Sequence, residues 1–439
     1  MKYIQPIRDI QSDPQQMEAL YQSVLRENGA LEFAADLIYC YKANRDNVLL
    51  AAWYYRLQET PTEKAELARK VVNWQLAIPI ALITAFCFWI LSDHRFTFSE
   101  GGMPHLLLLW TPLSTLGVLA YLALTSGKNL RRALYIAFGL AAMVVITFFM
   151  IGFIGDRYRD HFQILGILHL GLLSWIAVGL YVLGFNSTPP QRFAFLIRSL
   201  EIFITGGVYT VVGMIFAQIT LQLFGALSIN LDEIYLRLIF AGGSGLLPIM
   251  AVVSIYDPHV MPLDQDFKQG LSRFTATMMR LLLPLTLIVL IIYIFVIPFN
   301  FLEPFRNRDV LIVYNIMLFA VMGLLIGATP VFAEDVSPKV NRWLGRGVMA
   351  VAVLTVVINL YALSAILYRT FNDELTINRL MIIGWNVINI SILIAAIVSI
   401  WRGKLEEWAE KVKVVFSRGS VAYLVWCLFV LIVIPLVFR

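Results

Sequence analysis

The chain has 439 residues, 59% of them hydrophobic and only 14% charged, with a formal net charge of +5. Soluble globular domains carry about 25% charged residues, so this composition excludes an ordinary water-soluble enzyme or binding module. The positive charge is scattered over short loops, a pattern that suits membrane topology and not a nucleic-acid partner.

Residues 1–72 read as a small helical domain in water. Asp13-Pro14-Gln15-Gln16 is a helix start, with an N-cap carboxylate, proline at the first helical position and glutamine three after the cap. Gly29 is expected to end that helix. A second helix, about 30–43, is expected to bury Phe33, Leu37, Cys40 and Tyr41. Asn44 to Asn47 make a turn and capping cluster before a third helix, 48–58, with Trp53, Tyr54 and Leu57. Thr60-Pro61-Thr62-Glu63 is another capping box, and no breaker follows it before Trp74, so its helix is expected to run into the first span. The first seventy residues lack the apolar core of a signal peptide. The helical pairing resembles one tetratricopeptide-like unit, but such repeats need about three copies for stability. Two readings follow: a cap on the membrane domain, or a docking module for a cytoplasmic protein.

From Trp74 onward, apolar runs long enough for a hydrocarbon core of roughly 30 Å recur. Their backbone amides must pair internally, so they are helices; the period-2 alternation of a barrel is absent. Eleven spans are expected, at about 74–92, 104–125, 131–154, 162–184, 199–225, 235–256, 278–299, 309–332, 343–368, 377–401 and 420–438. With the N-terminus inside, sixteen Lys and Arg of the membrane domain fall in inner loops and nine in outer ones, and every lysine is inner. The positive-inside rule then places the N-terminus in the cytoplasm and the C-terminus outside. Trp74, Trp343 and Trp401 mark inner boundaries and Trp89 an outer one. Between the last two spans, residues 403–419 carry Leu405, Trp408, Val412, Val415 and Phe416 on one helical face, with Glu407 and Lys411 as an i,i+4 pair. That pattern predicts an amphipathic helix on the cytoplasmic membrane surface. The three cysteines, Cys40, Cys87 and Cys427, have no Cys-x-x-Cys spacing, so neither a disulfide framework nor a zinc site is expected.

Few residues in the apolar layer could carry chemistry. Folding residues 342–401 about position 373 brings Asn359 level with Asn386, each roughly 15 Å inside the layer at 1.5 Å per helical residue. Asn359, Asn386 and Asn389 either line a polar ligand site or join helices by amide hydrogen bonds. Gly242, Gly243, Ser244, Gly245 and Pro248 weaken span six. A broken helix there would expose backbone dipoles to an ion or anionic group, while an intact one would use its small residues for close packing. On the outer rim, His94, His105, His161 and His169 stand with Asp93, Glu100, Asp156 and Asp160. His94, Asp160 and His161 are the candidates there for a metal or an outer pocket, against a reading as ordinary interfacial side chains. In the outer turn, Asp373 and Glu374 can offset Arg369 and Arg379, and Asp373 could cap the next helix. Gln218 and Gln222 could line a pore or act as glue, and Arg198 can neutralise Glu201. No phosphate loop, His-Glu-x-x-His or Gly-x-Ser-x-Gly motif is present, and no cofactor is implied.

Arg280-Leu-Leu-Leu-Pro284-Leu285, an aromatic-rich span ending at Phe299, and Leu375-Thr376-x-x-Arg379 are similar to motifs of a bacterial membrane-protein family, domain of unknown function four-one-five-three. The resemblance covers about residues 270–400. Asp373 and Glu374 stand where that family often has tyrosine-glycine. It implies bacterial origin and multi-pass topology, and no activity. The expectation is an all-α membrane bundle of about eleven transmembrane helices with a small N-terminal cytoplasmic helical domain, in the bacterial inner membrane. Its function is read as binding or moving a small polar solute or ion, with a scaffold or sensor as the alternative; oligomeric state is left open.

Overall fold

The structure, a computed structural model, describes residues 2–26, 30–59, 72–98, 103–127, 129–267 and 270–438. The expected helix end at Gly29 and helix start at 60–63 lie outside the described residues, as do Glu100, Lys128, Lys268 and Arg439. The chain divides into two compact units, Met1–Val72 and Asn73–Arg439.

The first unit holds α1 (Ile4–Asp9), α2 (Pro14–Arg26), α3 (Ala30–Ala43) and α4 (Val48–Glu59). Asp13 caps α2 as its spacing requires, its Oδ1 accepting from the Gln15 and Gln16 amides at 2.9 and 3.1 Å. Asn47 caps α4 by accepting from the Leu50 amide, and its Nδ2 donates to the Gln11 carbonyl, tying α4 back to the α1–α2 turn. Ile7, Met17, Tyr21, Phe33, Leu37, Leu50 and Trp53 form the core. Buried Asp36 accepts from the Tyr3 amide at 2.8 Å, which accounts for a carboxylate there. Trp53 therefore belongs to the interior, while Tyr41 and Tyr54 stack at 4.5 Å along its edge.

In the second unit, eleven described helices are long and apolar enough to cross a bilayer: spans one (Trp74–Leu91), two (His105–Ser126), three (Leu130–Phe153), four (Asp156–Leu183), five (Pro189–Ala226), six (Glu233–Ile255), seven (Gly270–Asn300), eight (Val310–Ala328), nine (Pro338–Asn372), ten (Ile377–Trp401) and eleven (Trp408–Val437). Their outward faces carry large exposed hydrophobics such as Phe138, Phe216, Phe295 and Phe299. A water-soluble surface does not expose apolar area on this scale; a lipid-facing one does.

The helices exceed the apolar runs, because only the membrane-crossing part must be apolar. Span five starts at Pro189 behind a Thr188–Gln191 capping box, and span nine starts at Pro338 behind Ser337. Span one departs from expectation. Val72 and Asn73 are not helical, and Asn73 caps a helix that begins afresh at Trp74, its side chain accepting from the Leu76 amide. A short polar cap wins over continuation because it satisfies an otherwise orphaned amide.

The stretch expected to lie on the membrane surface also differs. Residues 403–407 are non-helical turns, and from Trp408 one helix runs to Leu428 and on through a π turn to Val437. Trp408, Val412 and Phe416 face protein. The Trp408 indole N–H donates to the backbone and side-chain oxygens of Asn341, and its ring lies where a side chain on Gly345 would collide at 2.8 Å. Amphipathic spacing reports an apolar face without saying what covers it; here span nine does. Of the outward-turned charges, Glu407 and Lys411 approach at 3.5 Å as their spacing implied.

Contacts between span ends fall into two sets. At one end Asn341 meets Glu406, Ser417 meets Pro189, and Arg198 meets Ser272. At the other Arg237 meets Asp93, Arg157 meets Glu374, Gly155 meets Phe438, and Tyr361 meets Phe301. The first set holds the connections in which lysine was expected, and it is called the basic end below.

Candidate functional site

The three asparagines of the central hairpin are all buried. They share one device. Each Nδ2 donates to the carbonyl four residues earlier: Asn359 to Thr355 at 2.7 Å, Asn386 to Ile382 and Asn389 to Trp385 at 2.8 Å. Asn315 of span eight does the same with Leu311 at 2.7 Å. A backbone carbonyl can only accept, so each amide's orientation is fixed: nitrogen to its own helix, Oδ1 toward the neighbours.

Two of these oxygens find protein donors. Asn386 Nδ2 also reaches Asn315 Oδ1 at 2.8 Å, joining spans ten and eight. Tyr423 of span eleven donates to Asn389 Oδ1 at 2.5 Å. The oxygens of Asn359 and Asn386 are buried with no donor among the described residues. His169 of span four adds a third acceptor. Its Nδ1 lies 2.8 Å from the Leu165 carbonyl and must carry a proton, so in the neutral ring Nε2 is a lone pair, buried and without a partner among the described residues. The His169 ring lies 5.7 Å from that of Trp385, next to Asn386, and Trp385 in turn packs on Tyr423 and Phe319. Spans four, nine and ten therefore each hold a buried acceptor that lacks a donor. A buried polar atom left unpaired costs about 1–3 kcal/mol, so each of these three acceptors invites a donor. A hydroxyl, an ammonium group or a cation would supply it.

Asn359 and Asn386 do not bond to one another. Their similar depth along the hairpin leaves open which neighbour each amide meets, and Asn386 turns to span eight. Asn315, Tyr423 and the inward His169 were missed as parts of the site. Asn315 was visible as the lone amide in its apolar run; the pairing of spans eight and eleven with span ten was not.

Span six lies elsewhere, packed against spans one, two and five. It stays helical through Gly242, Gly243, Ser244, Gly245 and Pro248, with a π turn at Leu238–Gly242 ahead of the proline. A Cβ on Gly245 would sit 2.8 Å from the Ala85 Cα, so this glycine lets spans one and six touch backbone to backbone. Ser244 is exposed and bonds back to the Ala241 carbonyl. These residues and the amides thus occupy different parts of the bundle.

The rim residues do not converge either. His94 is largely exposed and lies 3.4 Å from Asp93. Asp93 mainly serves Arg237 of span six, whose Nη1 is 2.5 Å away and whose Nη2 holds the Trp89 carbonyl. The Arg95 amide and this guanidinium hold the Asp93 carboxyl below the usual carboxylate range. Asp160 and His161 point to solvent, and among the described residues no three metal-ligating side chains come together. In the outer turn Asp373 takes Arg379 at 2.7 Å, but Glu374 pairs with Arg157 of span four and Thr376, not Asp373, caps span ten. Gln218 and Gln222 are exposed on span five and line no interior path.

The basic end holds two buried charge clusters. Arg198 donates from Nη1 to Glu201 at 2.5 Å and to Ser272 at 2.7 Å, from Nη2 to the Asp266 carbonyl, and its guanidinium lies over the Phe267 ring. Ser272 donates to the same Glu201 oxygen at 3.0 Å. Lys413 is likewise buried, bonded to Glu410 and the Val331 carbonyl. These pairs fix the packing of spans five, seven, eight and eleven, with the Arg198 Nε alone of that guanidinium's nitrogens left without a partner among the described residues.

The fold and this interior define a multi-pass membrane protein of eleven apolar helices. No protein-family model matches the chain, and no curated protein or solved structure matches it.

Proposed function

We propose that the protein binds, and by its topology can translocate, a small polar solute or ion at the amide cluster of spans four, eight, nine, ten and eleven. The supporting observation is the set of buried acceptors, Asn359 Oδ1, Asn386 Oδ1 and His169 Nε2, with no donor among the described residues. The solute on this reading carries hydrogen-bond donors or positive charge. The same proposal places the chain in the bacterial inner membrane, N-terminus inside and C-terminus outside, on the distribution of lysine and arginine. Kinship with the uncharacterised bacterial family rests on the short motifs within residues 270–400. The reading is tested by screening small amines, polyols and cations for thermal stabilisation of the purified protein, since a ligand that binds the native state stabilises it by mass action. A hit should lose its effect in Asn386→Leu; a hit that survives both that change and Asn359→Leu moves the site elsewhere.

A second reading, a scaffold or sensor working through residues 1–72, is favoured by the exposed Tyr39 and Tyr55 of α3 and α4. Deleting residues 1–72 separates the two, because ligand stabilisation should then persist.

A further inference from the structure

We propose that a groove between spans four, five and eleven at the basic end holds an anionic phospholipid, an acyl chain in the groove and the phosphate against Arg132 and Arg192. A cavity of about 200 Å³ lies there, walled mainly by Trp175, Leu180, Leu183, Phe195, Val421 and Leu424. Its wall is mostly apolar, and Gly184, Phe185 and Ser187 of the short connection between spans four and five border it. Two guanidinium groups are seated on that connection. Arg192 donates from Nε to Ser187 Oγ at 2.8 Å, which aims its two terminal nitrogens. Arg132 lies over the Tyr181 ring with Nη1 only 2.5 Å from where a Cβ on residue 184 would stand. Gly184 is required for its φ of +73°.

These two arginines lack the acid partner that three other guanidiniums of the bundle have. Arg198 has Glu201, Arg237 has Asp93 and Arg379 has Asp373. Neither Arg132 nor Arg192 meets a carboxylate among the described residues, and residues 183–197 contain no acid. The buried Nε of Arg132 has no hydrogen-bond partner among the described residues. A pair of uncompensated guanidiniums at an apolar slot is complementary to a phosphodiester joined to hydrocarbon. A zwitterionic lipid brings the same phosphodiester with an ammonium that opposes the two guanidiniums, and free phosphate would leave the groove empty.

The test uses the full chain in neutral detergent. Thermal midpoints are measured against phosphatidylglycerol, phosphatidylcholine of the same acyl chains, and inorganic phosphate. Phosphatidylglycerol alone should raise the midpoint saturably. Arg132→Gln and Arg192→Gln should each weaken its apparent affinity roughly fivefold. Val421→Trp, which fills the groove and keeps both arginines, should weaken it too, while Asn386→Leu should leave it unchanged. Equal response to phosphatidylcholine, a full response to phosphate, or unchanged affinity in the double arginine variant would overturn the proposal. Should those variants be too unstable to purify, native mass spectrometry of the wild type decides: preferential retention of phosphatidylglycerol over phosphatidylcholine supports the site, and equal retention refutes it.

Discussion

Asn386 is the residue on which the functional reading turns. Its nitrogen spans two helices, so Asn386→Leu removes one interhelical bond, about 0.6–2 kcal/mol in a membrane interior. The thermal midpoint of the unliganded protein should fall modestly while ligand response disappears. The contrast at the basic end is larger. Glu201→Gln leaves Arg198 buried against a neutral group, which for a broken buried pair costs about 3–5 kcal/mol. Replacing both, as Arg198→Met with Glu201→Leu, should restore most of that stability; a double variant no better than the single would show that the bond to the Asp266 carbonyl matters more than the ion pair. Asp93 gives a pH dependence. Its folded pKa is depressed, so its pairing with Arg237 stabilises the protein above the ordinary carboxylate value of 3.8 and is lost as pH falls through the lower folded value. Asp93→Asn should flatten the acid limb of a midpoint-against-pH curve, and an unchanged limb would assign the effect to other carboxylates.

At the scale of elements, spans one and six offer a paired test. Gly245→Ala puts a methyl group against the Ala85 backbone and should destabilise by about 1–3 kcal/mol, whereas Gly243→Ala, with open space around it, should cost nothing or stabilise slightly. Equal effects in a denaturation series would contradict the close approach. This pair also shows what could be read in advance. The Gly-Gly-Ser-Gly run announced that something comes near, and only the neighbouring backbone decides between a ligand and a helix. Asp13, by contrast, was legible because capping is local: donor, acceptor and spacing all lie within three residues. Trp408 marks the boundary between the two cases. Its helical face was evident from spacing, but its partner, Asn341, is 67 residues away.

For the whole molecule, eleven spans could be counted in advance because hydrophobic length is set by the bilayer and not by packing. Which spans adjoin was not legible, and so the amides' true neighbours, Asn315 and Tyr423, were not. The proposed orientation is checked with an impermeant thiol reagent on intact cells lacking the native cysteines. Glu374→Cys should be labelled and Lys404→Cys protected; the reverse pattern would invert the topology. The central claim, that the interior acceptors await a donor, is tested most directly by electron cryomicroscopy in lipid nanodiscs at a resolution that shows ordered water. The account predicts solute or ion density within hydrogen-bonding distance of Asn386 Oδ1 or Asn359 Oδ1, lost in Asn386→Leu. Finding both oxygens bonded to protein donors, or turned to acyl chains, would contradict it.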